Sequence, residues 1–67
     1  MKLVKIIPKS QRAKNRVKEH GMTMELLLDR GDNFIVRSVE DTFKNQDGTV
    51  GKWIGSFKED EATWEEV

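Results

Sequence analysis

Hydrophobic positions near the start of the chain change from a strand pattern to a helix pattern. Residues 2–7 are rich in β-branched side chains and Pro8 ends the run, which predicts a strand. Ser10 can cap a helix by accepting a hydrogen bond from an early helical amide, and Gly21 suits the left-handed position that follows a helix. No helix breaker lies between them, so the pattern predicts one helix over residues 11–20.

Beyond residue 21 the hydrophobic period becomes two, which is typical of half-buried strands. One face of the first such strand carries every second residue: Met22, Met24, Leu26 and Leu28. Residues 30–33 have the composition of a tight turn, and residues 34–39 then fit the returning strand of a hairpin. A second glycine-containing turn over residues 45–48 precedes another extended segment, residues 49–57.

Glycines alternate with aromatic residues in that last segment. Trp53 and Phe57 share a face with Gly51 and Gly55. A glycine inside a strand either marks a bend or leaves room for a ring to lie flat on the backbone, so we expect a curled sheet. Residues 62–67 fit a short edge strand, and a helix is the alternative because positions 57, 61 and 64 have helical spacing.

These elements predict an α+β fold: one N-terminal helix packed on a small curled antiparallel sheet of four or five strands, in a single domain over residues 1–67. A partly open barrel of the SH3-like kind is the nearest general architecture. The 67 residues are only 36% hydrophobic, so the core is small and self-association would help to stabilise it. The absence of cysteine and of a bilayer-length apolar run leads us to expect a cytoplasmic location.

Charge is distributed unevenly along a chain whose formal net charge is zero. Residues 1–20 contain seven basic residues and one acidic residue, and the remainder contains five basic and eleven acidic residues, so the two parts carry +6 and −6. Such asymmetry suggests a basic surface for an anionic partner and an acidic surface for a cationic one. The alternative is that the two parts lie side by side in the fold and neutralise each other.

The predicted helix has a narrow apolar stripe bordered by cations. Its candidate binding residues are Lys9, Arg12, Lys14, Arg16 and Lys18. Cations near the positive end of a helix cost local stability, which a bound phosphate or acidic surface would reverse. Alternatively, the lysine and arginine stems only cover the stripe while their charged groups stay in water. The pI near 6.6 and the lack of aromatic residues between these cations count against nucleic acid.

The acidic segment near the C-terminus is the second candidate contact surface. Its members are Glu59, Asp60, Glu61, Trp64, Glu65 and Glu66. An exposed tryptophan among carboxylates would be a good interface anchor, because interface hot spots favour tryptophan. The alternative is a solvated turn followed by an edge strand whose charges block aggregation, with Trp53 and Trp64 both in the core.

Catalytic chemistry has little support in the sequence. With no cysteine and one histidine, the chain cannot form a Cys-His pair or a zinc site of the usual kind, and no phosphate-binding glycine loop is present. His20 is explained by its place at the helix C-terminus. We therefore expect no enzyme activity, no catalytic residues, no metal and no cofactor.

Residues 5–21, KIIPKSQRAKNRVKEHG, followed by a short β region, resemble the start of small uncharacterised bacteriophage or prophage proteins. The resemblance implies a virus-encoded accessory protein that acts in the bacterial host cytoplasm by binding host or phage proteins. It assigns no catalytic motif and no functional residue.

The function we expect is therefore that of a non-catalytic interaction or accessory protein, which binds another protein through its basic helix, its acidic C-terminal segment, or both. The alternative is a nucleic-acid-associated module whose basic helix contacts phosphates. A homodimer is a further alternative for the partner, and no membrane partner is expected.

Overall fold

The computed structural model describes all residues from Met1 to Val67 and contains one helix and five strands. In chain order the elements are β1 (Leu3–Pro8), α1 (Gln11–His20), β2 (Thr23–Asp29), β3 (Asn33–Lys44), β4 (Val50–Lys58) and β5 (Ala62–Glu66). The α+β prediction is confirmed, and the helix has the predicted bounds. The helical alternative near the C-terminus is wrong, because residues 62–66 pair with β1 as a strand.

All strand pairs are antiparallel, in the order β4-β3-β2-β1-β5. The strands at the two ends of this order, β4 and β5, are joined by only three residues, Glu59–Glu61. Because so short a link spans the two sheet edges, the sheet must curl until they approach each other at that end. The result is the predicted curled sheet, a barrel that is partly open and not closed.

The core lies between α1 and the concave face of the sheet. It consists of eight buried hydrophobic residues: Val4, Ile6, Ala13, Met24, Phe34, Val36, Phe57 and Ala62. Helix α1 contributes Ala13 fully and Val17 in part, as the narrow apolar stripe predicts. Trp53 and Trp64 pack against the same cluster and are partly buried. The two tryptophans therefore contribute to packing, which is the core alternative stated for them above.

Both ends of α1 are closed by the predicted residues. The Ser10 hydroxyl accepts a hydrogen bond from the Ala13 amide at 3.1 Å. Gly21 has φ of 97°, and its amide donates to the Val17 carbonyl at 2.8 Å. A side-chain oxygen at the N-cap and a left-handed residue after the C-terminus satisfy backbone groups that the helix itself leaves without partners.

The predicted faces of β2 are wrong at its far end. Leu26 is opposite Val36, but the next registered pair is Leu28 with Ile35, so β2 contains one extra residue there. A β-bulge of this kind shifts the alternation by one position. Leu28 therefore lies on the sheet face away from the helix, on the opposite side from Met24, and is 44% exposed.

Strand β3 is longer than predicted and carries a projecting hairpin. Register shifts occur between Arg37 and Asp41 and again between Asp41 and Phe43. At the first shift the buried Ser38 hydroxyl accepts a hydrogen bond from the Trp53 amide at 2.8 Å and donates one to the Glu40 carbonyl at 2.8 Å. This side chain thus replaces backbone hydrogen bonds between β3 and β4 that the register shift removes. Every residue from 41 to 50 is exposed. We call this segment the hairpin arm.

Candidate functional site

The basic and acidic parts of the chain do not form two separate surfaces. Strand β5 pairs with β1, with Lys5 opposite Glu65. Lys2 lies 2.9 Å from Glu66 and Arg12 lies 3.2 Å from Glu61. The expectation of two opposite poles is therefore wrong for these residues, and the side-by-side alternative describes them.

Within the acidic segment, Glu61 is used inside the protein. One carboxylate oxygen accepts from the Lys58 amide at 3.2 Å and the other contacts the Arg12 guanidinium. The Lys58 amide hydrogen bond and, to a lesser degree, the Arg12 charge lower the pKa of this carboxyl group. The Glu61 carbonyl also accepts from the backbone amides of Lys9 and Ser10. Glu61 therefore fastens β5 to the start of the helix.

The other members of the acidic segment differ in their environments. Trp64 is opposite Ile6 and packs on the core, and the Lys2 ammonium lies 4.6 Å from its ring centroid. Three carboxylates of this segment form no ion pair: Glu59, Asp60 and Glu65. The segment therefore has three carboxylates without ion pairs, but one side of its half-buried tryptophan is already covered.

A helical projection predicts Lys9, Arg12 and Arg16 on one side of the apolar stripe of α1, and Lys14 and Lys18 on the other. Lys14 and Lys18 are exposed and form no ion pair. The Lys9 ammonium donates to the Glu59 carbonyl at 3.5 Å. Arg12 and Arg16 lie on the other side, facing the end of the sheet that bears β4. The structure thus divides the predicted basic surface, and only one side of it adjoins a cavity of the fold.

That cavity is an open cleft of about 580 Å³ between α1 and the β3–β4 hairpin, which we call the helix–hairpin cleft. Three cations, Arg12, Arg16 and Lys44, and one carboxylate, Glu19, line it. The other lining residues are His20, Thr42, Phe43, Trp53, Ile54, Gly55 and Ser56. Phe43 is 46% exposed, so cations and an accessible apolar side chain occur together.

The floor of the cleft is a stack of two rings. The His20 imidazole and the Trp53 indole have centroids 4.5 Å apart and an interplanar angle of 4°. A Cβ atom at Gly55 would lie within 3.0 Å of three indole carbons, so the ring occupies the space that a side chain would need. The predicted use of a strand glycine to accommodate a ring is confirmed at this position.

His20 is buried and joins the helix to the hairpin. Its Nδ1 lies 2.7 Å from the Thr42 hydroxyl, and its Nε2 lies 3.5 Å from Glu19. Burial lowers the pKa of His20, the Glu19 charge opposes that shift, and Arg16 adds to it. The neutral ring is thus favoured, and the cationic form that a helix dipole would stabilise is not.

Thr42, His20 and Glu19 follow the order of a nucleophile, a base and an orienting acid. The Glu19 carboxylate, however, is held by the Arg16 guanidinium at 3.0 and 3.1 Å, closer than it is to the imidazole. The His20 ring is also fixed against Trp53. We therefore interpret the series as a structural link between α1 and β3.

The outer edge of β4 borders the cleft. The Ser56 carbonyl points away from β3 and is 3.4 Å from the Arg12 guanidinium, a long contact for a hydrogen bond. The guanidinium carbon of Arg12 lies 5.7 Å from the Phe57 ring centroid. A cation thus lies directly beside an exposed strand edge.

Sequence reasoning identified Arg12 and Arg16 but missed the hairpin residues that complete the cleft: Thr42, Phe43, Lys44, Trp53 and Ile54. The alternation of glycine with Trp53 was the only sequence signal for them. The single helix has ten residues and is too short and too polar to cross a bilayer. Comparisons with family models, curated proteins and solved structures gave no match to the chain.

Proposed function

We propose that this protein is a non-catalytic binding module that contacts a protein partner through the helix–hairpin cleft. The observation that carries the proposal is the combination, in one cavity, of Arg12, Arg16 and Lys44 with the exposed side chain of Phe43, beside the strand edge at Ile54. An acidic protein segment offers carboxylates and apolar side chains together. Charge complementarity would then guide association, while the apolar contacts would supply much of the affinity.

Nucleic acid is the second candidate, because three cations around one cleft suit phosphate contacts. Two observations favour protein over it. Glu19 lies among the cations, and the Trp53 indole is already stacked on His20, which removes a ring face that a base would use. Strong loss of DNA binding with rising salt would be the signature of this second candidate.

The remaining predicted residues form subsidiary surfaces in this proposal. Lys9, Lys14 and Lys18 extend a positive field beyond the cleft, and the free carboxylates of Glu59, Asp60 and Glu65 offer a separate site for a cationic group. A bacterial cytoplasm is the proposed setting, and phage origin follows only from the resemblance of residues 5–21. The relation to SH3-like barrels likewise stays a prediction.

Charge reversal on the two sides of α1 tests the proposal. Tagged wild-type protein and the variants Arg16→Glu and Lys14→Glu are used to capture proteins from a nuclease-treated bacterial lysate. Arg16 lines the cleft and Lys14 does not, yet both changes shift the net charge equally. We expect Arg16→Glu to weaken capture by about tenfold or more, which corresponds to ~1.4 kcal/mol, and Lys14→Glu to leave it nearly unchanged.

Circular dichroism must show that both variants are folded. Equal capture by wild type and Arg16→Glu would contradict the proposal, as would the absence of any captured protein. A parallel capture from untreated lysate identifies the second candidate: protein that is captured there, but not after nuclease treatment, would replace the protein partner by nucleic acid.

A further inference from the structure

We infer that the partner binds as an extended acidic segment that adds to the outer edge of β4 as a sixth, antiparallel strand. The inference rests on the proposed function and specifies how the helix–hairpin cleft is used. Strand addition at a free sheet edge obtains affinity from main-chain hydrogen bonds and specificity from the side chains that flank them.

Alternate backbone groups of β4 point away from β3. The Trp53 amide bonds to Ser38 of β3, whereas the Lys58 amide and the Ser56 carbonyl contact Glu61 and Arg12. In an antiparallel ladder the direction of these groups alternates along the strand. The amide and carbonyl groups of Ile54 therefore also face outward, beside those of Ser56.

The outward edge of β4 is protected only in part. At one end, the Glu61 carboxylate caps the Lys58 amide. At Ser56 the outward carbonyl contacts only the half-exposed Arg12 guanidinium, at 3.4 Å. An incoming carboxylate would attract this guanidinium, and a backbone amide of the incoming strand would take its place at the carbonyl. Ile54, which lies next along the edge, is 59% exposed. The unprotected length is therefore centred on Ile54 and Ser56.

The charges at the β4 edge favour an acidic segment over a second copy of the chain. Between Val50 and Lys58, β4 carries two lysines, Lys52 and Lys58, and no carboxylate. A second copy paired on the same edge would bring these lysines and both clefts together, which like charge disfavours. An acidic strand would instead bring its carboxylates to the Arg12 and Arg16 guanidinium groups, which lie on the helix side of this edge. The opposite edge of the sheet, β5, contains Glu65 and Glu66, so it would repel the same segment.

The two faces of the sheet at this edge determine which residues must alternate in the bound segment. Ile54 is opposite Arg37, on the sheet face away from the helix, whereas Arg12 lies over the Phe57 ring on the helix side. Residues paired with Ile54 and Ser56 would place their side chains on the Ile54 face, and the residues between them would face Arg12 and Arg16. The inferred ligand therefore alternates apolar and acidic residues.

Isothermal titration with capped heptapeptides tests this binding mode. The probe alternates valine and glutamate, beginning and ending with valine; one control replaces every glutamate by lysine. Two further peptides carry three N-methyl groups each, one on the three valines that follow a glutamate and the other on the three glutamates. In the inferred geometry valine amides bond to β4 and glutamate amides point to solvent, so the two methylated peptides differ only in the blocked side of the strand.

We expect the lysine peptide and the valine-methylated peptide to bind at least about tenfold more weakly than the probe, and the glutamate-methylated peptide to bind within about threefold of it. Equal binding of the two methylated peptides would overturn strand addition, and so would failure of the probe to bind. If that failure accompanies capture that still depends on Arg16, the proposed function stands and only the binding mode is wrong. A concentration-dependent dimer that Ile54→Pro abolishes would assign the edge to a second copy instead.

Discussion

A glycine and a tryptophan two residues apart determine the floor of the cleft. The Trp53 ring occupies the space above Gly55 and is held there by the His20 ring on the helix. Gly51 lies on the same strand, but its nearest neighbour for an added Cβ is the Asn45 amide nitrogen at 3.6 Å, which is an ordinary contact. Two strand glycines that look alike in the sequence therefore have different roles.

Replacing Gly55 by alanine is expected to displace the indole and separate it from His20. We expect Gly55→Ala to lower the free energy of unfolding by about 1–3 kcal/mol, the usual cost of overpacking, and to change the near-ultraviolet circular dichroism of tryptophan. Gly51→Ala, the matched control, should change stability by less than about 1 kcal/mol. Urea unfolding of both variants measures the difference. Equal stabilities would show that the ring does not need the space above Gly55.

At the scale of the elements, α1 is tied to β3 by one buried imidazole. His20 ends the helix and contacts the Thr42 hydroxyl on the hairpin. Because burial lowers the pKa of this histidine, the folded protein favours its neutral form. An unfolded chain would bind a proton more readily, so stability is fully present above the ordinary histidine pKa and falls as the pH drops below it.

We therefore expect the free energy of unfolding to decrease as the pH falls from about 7 to about 5, through the ordinary histidine pKa of about 6.5. Chemical unfolding at several pH values measures this slope. His20→Gln serves as the control, since it removes the titrating group while keeping a polar side chain. Carboxylate titration is centred at lower pH, so it contributes little near pH 6. A wild-type slope that is flat, or that His20→Gln leaves intact, would contradict this role.

The sequence predicted elements better than it predicted their irregularities. Ser10 and Gly21 bound α1 because caps depend on local side chains and local backbone conformation. Two irregularities were not predicted: the bulge that turns Leu28 to the other face, and the Ser38 hydroxyl that bridges the register shift in β3. Both depend on how two strands pair. The alternation of residues within one strand does not show whether that strand has an extra residue relative to its partner.

For the whole molecule, the order of the strands decides which charges meet. The return of β5 to β1 brings Glu66 to Lys2 and Glu61 to Arg12. A pattern that predicts strands does not specify their neighbours, so the sequence left open whether the two charged parts would separate or combine. The fold pairs Lys2 and Arg12 with carboxylates of the acidic part, and it places Arg12, Arg16 and Lys44 around one cleft.

Long-range placement also explains how much of the candidate site was predictable. The helical spacing of Arg12 and Arg16 placed them on one side of α1, which required only the helix period. Lys44 and Phe43 are far from them in the sequence and reach the cleft because β3 extends past its β2 partner into the hairpin arm. No local sequence pattern indicates that extension, so the hairpin residues of the site could be identified only from the folded structure.

We propose that the helix–hairpin cleft and the adjoining β4 edge together form the contact surface. Amide hydrogen exchange, followed by nuclear magnetic resonance with and without the valine–glutamate heptapeptide, tests it most directly. We expect the peptide to slow exchange at Ile54 and Ser56 and to shift the resonances of Arg12 and Arg16, while β5 amides keep their free-state rates. Unchanged exchange at Ile54 and Ser56, or protection that falls on β5 instead, would contradict the claim.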